Sequence, residues 1–72
     1  MNLSLTATQS QVWHFLIEYF DRNDQLPPYK AIAERFGWAS HNAAVEMMQA
    51  LESKGYIERN ESGKYRFARV AA

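Results

Sequence analysis

The hydrophobic period of this chain changes once, at Gly55, and that switch restricts the architecture more than any other feature. Before it, apolar residues recur every three or four positions, as on helices. After it they alternate, as on strands. Ala44, Met47, Met48 and Leu51 stand at i, i+3, i+4 and i+7, the inward stripe of a helix over about 41–54. Ser40 occupies its N-cap position, and Gly55 ends it after Lys54. Beyond the switch, Tyr56 to Arg59 and Lys64 to Val70 read as two strands. Asn60-Glu-Ser-Gly63 lies between them, with Gly63 suited to a positive φ.

Two further helices come first. Thr6 followed by Gln9 is a capping-box pattern, so a helix starts near Thr6. Val12, Trp13, Leu16, Ile17 and Phe20 form its buried stripe, widened by Phe15 and Tyr19. It is expected to fray over Asp21 to Asp24, where turn-prone residues cluster. Pro27 and Pro28 cannot continue it and set an extended entry into a short second helix, Tyr29 to Phe36, with Ile32, Ala33 and Phe36 inward. Gly37 supplies the left-handed residue that closes this second helix. Helix, helix, helix, hairpin is an α+β order. Short second and third helices joined by a glycine-containing turn make a helix-turn-helix, and the hairpin is its wing.

Length and composition fit one such domain spanning residues 1–72. A chain of 72 residues without cysteine must stabilise itself by apolar burial or by association, and a hydrophobic fraction of 47% supplies the means. No apolar run is long enough for a membrane span, and Met1 to Leu5 lacks the features of a signal peptide. A soluble, cytoplasmic protein is expected.

Net charge is zero, yet it is unevenly distributed. Residues 1–53 carry net −3, with Arg22, Lys30 and Arg35 outnumbered by acids. Residues 54–72 carry net +3 through Lys54, Arg59, Lys64, Arg66 and Arg69. The whole-chain value hides a basic C-terminal hairpin, a feature of nucleic-acid partners and equally of an ordinary mixed surface.

Catalysis finds little support. His14 and His41 lie on different helices, and neither has a second ligand at a metal-binding spacing. Ser40 has no residue to activate it and is better explained as a cap. No glycine loop cradles phosphate. The sequence implies no enzyme activity, metal, cofactor or small-molecule substrate.

The third helix is more telling. With Ala44, Met47, Met48 and Leu51 inward, the opposite face carries His41, Asn42, Val45, Glu46 and Gln49. These residue types suit base edges. Asn and Gln bond adenine bidentately, Glu accepts from a cytosine amine, and Val touches a thymine methyl. Ala43 is small enough for close approach to a groove. A solvated face of ordinary composition is the plain alternative, but Asn42 and β-branched Val45 are poor choices where only helicity is needed. Met47 and Met48 belong to core packing at this spacing, and Trp13 and Trp38 to the core or its edge. Lys64 and Arg66 alternate opposite Tyr65 and Phe67 and could reach phosphate, and Lys54 at the end of the third helix is a further candidate DNA contact. Lys30 and Tyr29, at the start of the second helix, are expected near the DNA backbone.

Leu5-Thr-Ala-x-Gln9, Leu26-Pro-Pro28, Ile32-Ala33, Gly37-Trp-x-Ser40, Asn42-Ala-Ala44 and Ala50-Leu-x-x-Lys-Gly-Tyr-Ile57 together resemble the N-terminal DNA-binding domain of LexA-type repressors, from about Leu5 to Arg69. The resemblance implies a winged helix-turn-helix with its third helix in the major groove of double-stranded DNA, normally as a dimer on a palindromic operator. It places Ser40, Asn42, Ala43 and Glu46 at DNA-contacting positions. Val45 stands where the family's best-known members have a second acidic base-reading residue, and His41 replaces a proline. The spacing on either side of Pro27-Pro28 also differs by a residue. The expected target is therefore not the family's usual SOS operator. LexA-type repressors also carry a C-terminal self-cleaving peptidase domain that holds the dimer together. Its absence here suggests a shortened form or a stand-alone regulator, for instance from a phage or other mobile element, that cannot cleave itself. Tight binding would then need a homodimer or a partner protein, met through the exposed surface of the first helix. The alternative reading is a winged helix that binds a regulatory protein instead of DNA, favoured by the acidic first 53 residues.

Overall fold

A computed structural model describes residues 4–68. Three helices are followed by two antiparallel strands: α1 (Ala7–Asn23), α2 (Tyr29–Phe36), α3 (His41–Ser53), β1 (Ile57–Arg59) and β2 (Tyr65–Phe67). This is the expected winged helix-turn-helix.

Each helix begins and ends for a local reason. The Thr6 hydroxyl accepts from the Gln9 backbone N–H at 3.1 Å, and Gln9 Oε1 accepts from the Thr6 N–H at 3.1 Å, a complete capping box. At the other end α1 does not fray from Asp21. It runs to Asn23, whose side-chain amide donates to the Tyr19 carbonyl at 3.1 Å, and Asp24 closes it in the left-handed conformation, φ 56°. Asp tolerates that region better than most residues. Pro28 lies at φ −69° and ψ 162°, and its carbonyl accepts the first bonds of α2 from Ala31 and Ile32. Gly37, at φ 71°, donates to the Ala33 and Glu34 carbonyls while Trp38 donates back to Ala33 at 2.9 Å.

The core is a cluster of Val12, Leu16, Ile32, Ala44, Met48, Leu51 and Ile57, each essentially inaccessible to solvent. At about 1.5–3 kcal/mol for each large apolar side chain removed from water, this cluster is the main driving term of the fold. α3 packs on α2, on α1 and on β1, so the helix-turn-helix pair is clamped from both sides. Met47 is half-buried at the cluster's margin. Trp13 and Trp38 are core-edge residues, as expected. Trp13 meets Tyr56 and Phe67 edge-on at 4.9 and 5.3 Å, and Trp38 stacks on Phe36 at 5.2 Å.

The buried stripe of α1 is narrower than its periodicity predicts. Only Val12 and Leu16 are fully buried; Ile17 and Phe20 are 44% and 38% exposed. Phe15 and Leu16 still pack on α2 and the core, but beyond them the wing covers Phe20. There Phe20 touches the Phe67 ring at 5.0 Å and otherwise faces outward.

The strands are also shorter than predicted. Ile57 pairs with Phe67, Glu58 with Arg66 and Arg59 with Tyr65, and Ala68 still donates to the Tyr56 carbonyl at 3.1 Å. Arg69 and Val70, expected to extend the second strand, lie outside the described residues. The Asn60 side chain organises the wing turn: its Oδ1 accepts from the Ser62 and Lys64 N–H groups at 2.9 and 3.0 Å. Gly63 takes φ 80° within that turn. No helix among the described residues is long and apolar enough to cross a membrane.

Candidate nucleic-acid interface

The outward face of α3 follows from its inward one. At 100° per residue, positions 41, 42, 45, 46 and 49 fall within an arc of about 140°, whose centre lies roughly 120° from that of Ala44, Met48 and Leu51. His41, Asn42, Glu46 and Gln49 are exposed, and Val45 is half-buried among them. Ala43 falls outside this arc, on the half-buried flank of the helix. Ser40 Oγ accepts from the Asn42 N–H at 3.0 Å, which starts the helix and leaves the serine hydroxyl hydrogen available to an acceptor.

The basic residues divide into two groups. Lys30 in the first turn of α2 and Lys64 in the wing turn are exposed. A groove of about 460 Å³ runs between the segment Gln25 to Tyr29 and the residues Gly63 to Tyr65, so the start of α2 and the wing turn face each other. Lys54 and Arg66 are committed elsewhere. The Lys54 ammonium donates to the Ser4 carbonyl and to Gln9 Oε1, both at 2.7 Å. Arg66 grips Glu58 Oε2 through Nε at 2.9 Å and Nη2 at 2.7 Å, across the pair that strand register sets opposite. Arg66 is thus partly neutralised by Glu58, whereas Lys54 keeps its charge but spends two of its N–H donors on neutral oxygens inside the molecule.

Sequence reasoning missed a polar cluster where the wing meets the helices. Arg59 Nη2 donates to the Tyr65 hydroxyl at 2.7 Å, and its guanidinium carbon lies 4.7 Å from that ring's centroid. The Tyr65 hydroxyl in turn reaches Glu52 Oε1 at 3.5 Å, Arg59 Nε lies 3.6 Å from the same oxygen, and the Tyr29 ring meets Tyr65 edge-on at 6.3 Å. Burial, then the neighbouring Tyr29 hydroxyl, push the Tyr65 phenol above its ordinary value, while Arg59 pulls the other way. The bond to Tyr65 in turn raises Arg59. The signal was Arg59 and Tyr65 at matching positions of a hairpin, visible only once the register is known.

Among the described residues no group of three His, Cys, Asp or Glu side chains could hold a metal. His14 is exposed on α1 and lines a shallow groove with Glu18, Arg35 and Phe36. Arg35 packs over the Phe15 and Phe36 rings there, at 5.9 and 5.3 Å.

The family model for the LexA DNA binding domain matches residues 2–66. LexA repressors are similar to the chain over most of its length. That of Thermotoga neapolitana is 42% identical over 66 residues, covering 92% of this chain and 32% of the relative. That of Edwardsiella ictaluri is 40% identical over 55 residues, covering 76% and 27%. That of Syntrophobacter fumaroxidans is 32% identical over 56 residues, covering 78% and 27%. The chain therefore spans about a third or less of the length of the curated relatives it matches.

Proposed function

Because this chain belongs to the LexA DNA-binding domain family, we propose that residues 1–72 form one domain that acts as a sequence-specific, double-stranded-DNA-binding transcriptional regulator, a repressor, in the cytoplasm. In this reading α3 enters the major groove. Asn42 and Gln49 read adenine, Glu46 accepts from a cytosine amine, and Val45 contacts a thymine methyl. Ala43 allows close approach at the flank. Ser40 and His41 at the helix start, Lys30 on α2 and Lys64 on the wing meet phosphate, with Arg66 a weaker contributor because Glu58 holds it. Lys54 serves the fold rather than the DNA.

One observation carries the reading. α3 is anchored by Ala44, Met48 and Leu51 while its opposite face presents His41, Asn42, Glu46 and Gln49 to solvent. A module of this size covers one half-site, so tight binding requires a second protomer or a partner protein. Titration of random duplex at rising salt tests the class. Affinity that is undetectable at low salt, or indifferent to salt, sinks it. Selection of bound sequences from a random pool then gives the site, and the substitutions at Val45 and His41 predict one that differs from the SOS operator.

The second reading, a winged helix that binds a regulatory protein, draws on the exposure of Ile17 and Phe20 beside a groove lined by Trp13, Tyr56 and Phe67. The same face of α1 would serve a homodimer contact. Ile17→Lys discriminates: loss of association with DNA affinity for a half-site unchanged assigns the face to protein contact.

A further inference from the structure

We infer that Tyr65 is the positioning residue that sets the angle of the wing on α3 and holds Lys64 at the height where it meets phosphate; this rests on the DNA reading above. Tyr65 lies immediately after Lys64, so any constraint on its ring and hydroxyl is a constraint on the lysine's backbone. Three elements converge on it. Glu52 from the last turn of α3 stands 3.5 Å from the hydroxyl, Arg59 from β1 donates to it at 2.7 Å, and Tyr29 from the start of α2 meets its ring at 6.3 Å. The wing is otherwise a ribbon of two three-residue strands, too short to fix its own orientation. Phe67, on the same side of β2, packs on Trp13 and Phe20 and fastens the end of the ribbon nearest α1. Without Tyr65, that contact leaves the turn end, where Lys64 lies, free to swing.

The pairs in the cluster are half-exposed, with the Arg59 and Glu52 side chains 45% and 36% accessible, so each contributes little to stability. Their geometry is what matters. A hydroxyl held between a guanidinium from the wing and a carboxylate from the reading helix has one narrow range of positions, and it transmits the orientation of α3 to β2. The Tyr65 hydroxyl can donate to Glu52 while accepting from Arg59.

Tyr65→Phe keeps the ring and removes the hydroxyl. Glu52→Gln keeps the whole tyrosine and removes the charge it answers to. In the free protein, residual dipolar couplings of the amides from Ile57 to Phe67 should shift relative to those of α3 in both variants. On random duplex, Tyr65→Phe should lower the salt slope by about one, as Lys64→Ala does, and should lower it no further in a Lys64→Ala background. Unchanged wing couplings in both variants overturn the inference, and so does a loss of slope that adds to that of Lys64→Ala. If no variant and no wild type binds duplex, the DNA reading fails, and the couplings alone decide whether Tyr65 orients the wing.

Discussion

The Lys54 ammonium donates to Gln9 Oε1 at 2.7 Å, so the end of α3 is tied to the first turn of α1. That oxygen also accepts from the Thr6 N–H at 3.1 Å, which means the capping box and the anchor share one acceptor. A carbonyl oxygen offers two lone pairs, and both are used. With a second bond to the Ser4 carbonyl at 2.7 Å, Lys54 joins residues about fifty positions apart in the chain.

Lys54→Met should therefore lower stability and leave DNA electrostatics alone. The substitution keeps the apolar stem and removes charged hydrogen bonds at a half-buried site, which costs about 1–2 kcal/mol. Urea denaturation should show that loss, with the salt slope on random duplex equal to wild type. A slope reduced by about one would instead place Lys54 on phosphate.

What could be read from the sequence was what local chemistry decides. The Thr6–Gln9 box, the extended Pro28, the left-handed Gly37 and the Ser40 cap each depend on residues within four positions, and each is where the pattern placed it. So is the inward set Ala44, Met48 and Leu51. Ile17 and Phe20 were misjudged because periodicity gives the face of a helix but not how much of it the rest of a small body can cover. The commitments of Lys54 and Arg66 were invisible because their acceptors come from another helix and another strand. The outward face of α3 was legible as an arc of polar residues, which the structure leaves exposed around a half-buried Val45.

Asn42→Ala probes that arc with little structural risk, since the Asn42 side chain is exposed and it is the backbone N–H that Ser40 caps. On the selected site the loss should be about 1–3 kcal/mol, with relaxed preference at one or two adjacent bases. Binding to random duplex should be unaffected. Unchanged preference in a repeat selection would remove Asn42 from the set of base readers.

Ser40→Ala should separate capping from contact. Loss of the cap costs about 1 kcal/mol of stability, and Ser40→Asp or Ser40→Thr restores it because either side chain can accept from the N–H two or three residues on. A phosphate contact would not be restored by Asp, whose charge repels the backbone. Full recovery of both stability and affinity in Ser40→Asp would confine Ser40 to the fold.

Tyr65 also gives the chain a signature at alkaline pH. Its folded pKa is raised above the unfolded value near 10, so the stabilisation of the neutral phenol is fully present below about pH 10 and is lost as pH rises through the folded pKa. Absorbance titration of the four tyrosines should show one that ionises late, with unfolding favoured as it does. Tyr65→Phe should remove that late step; its survival in the variant would assign the step to another tyrosine.

Lys64→Ala and Arg66→Ala, two residues apart in the wing, should behave differently. Lys64 is exposed in the wing turn, so its removal should weaken binding to every sequence alike and reduce the salt slope by about one. Arg66 already holds Glu58 through two hydrogen bonds, and truncating it removes that cross-strand ion pair. The pair lies across the strands rather than in the turn, so the main effect of Arg66→Ala should fall on the hairpin, as a loss of under about 1 kcal/mol in denaturation. Its slope should change by less than that of Lys64→Ala. Equal slopes for the two variants would mean that Arg66 leaves Glu58 when DNA binds, and Glu58→Gln would then raise affinity for random duplex.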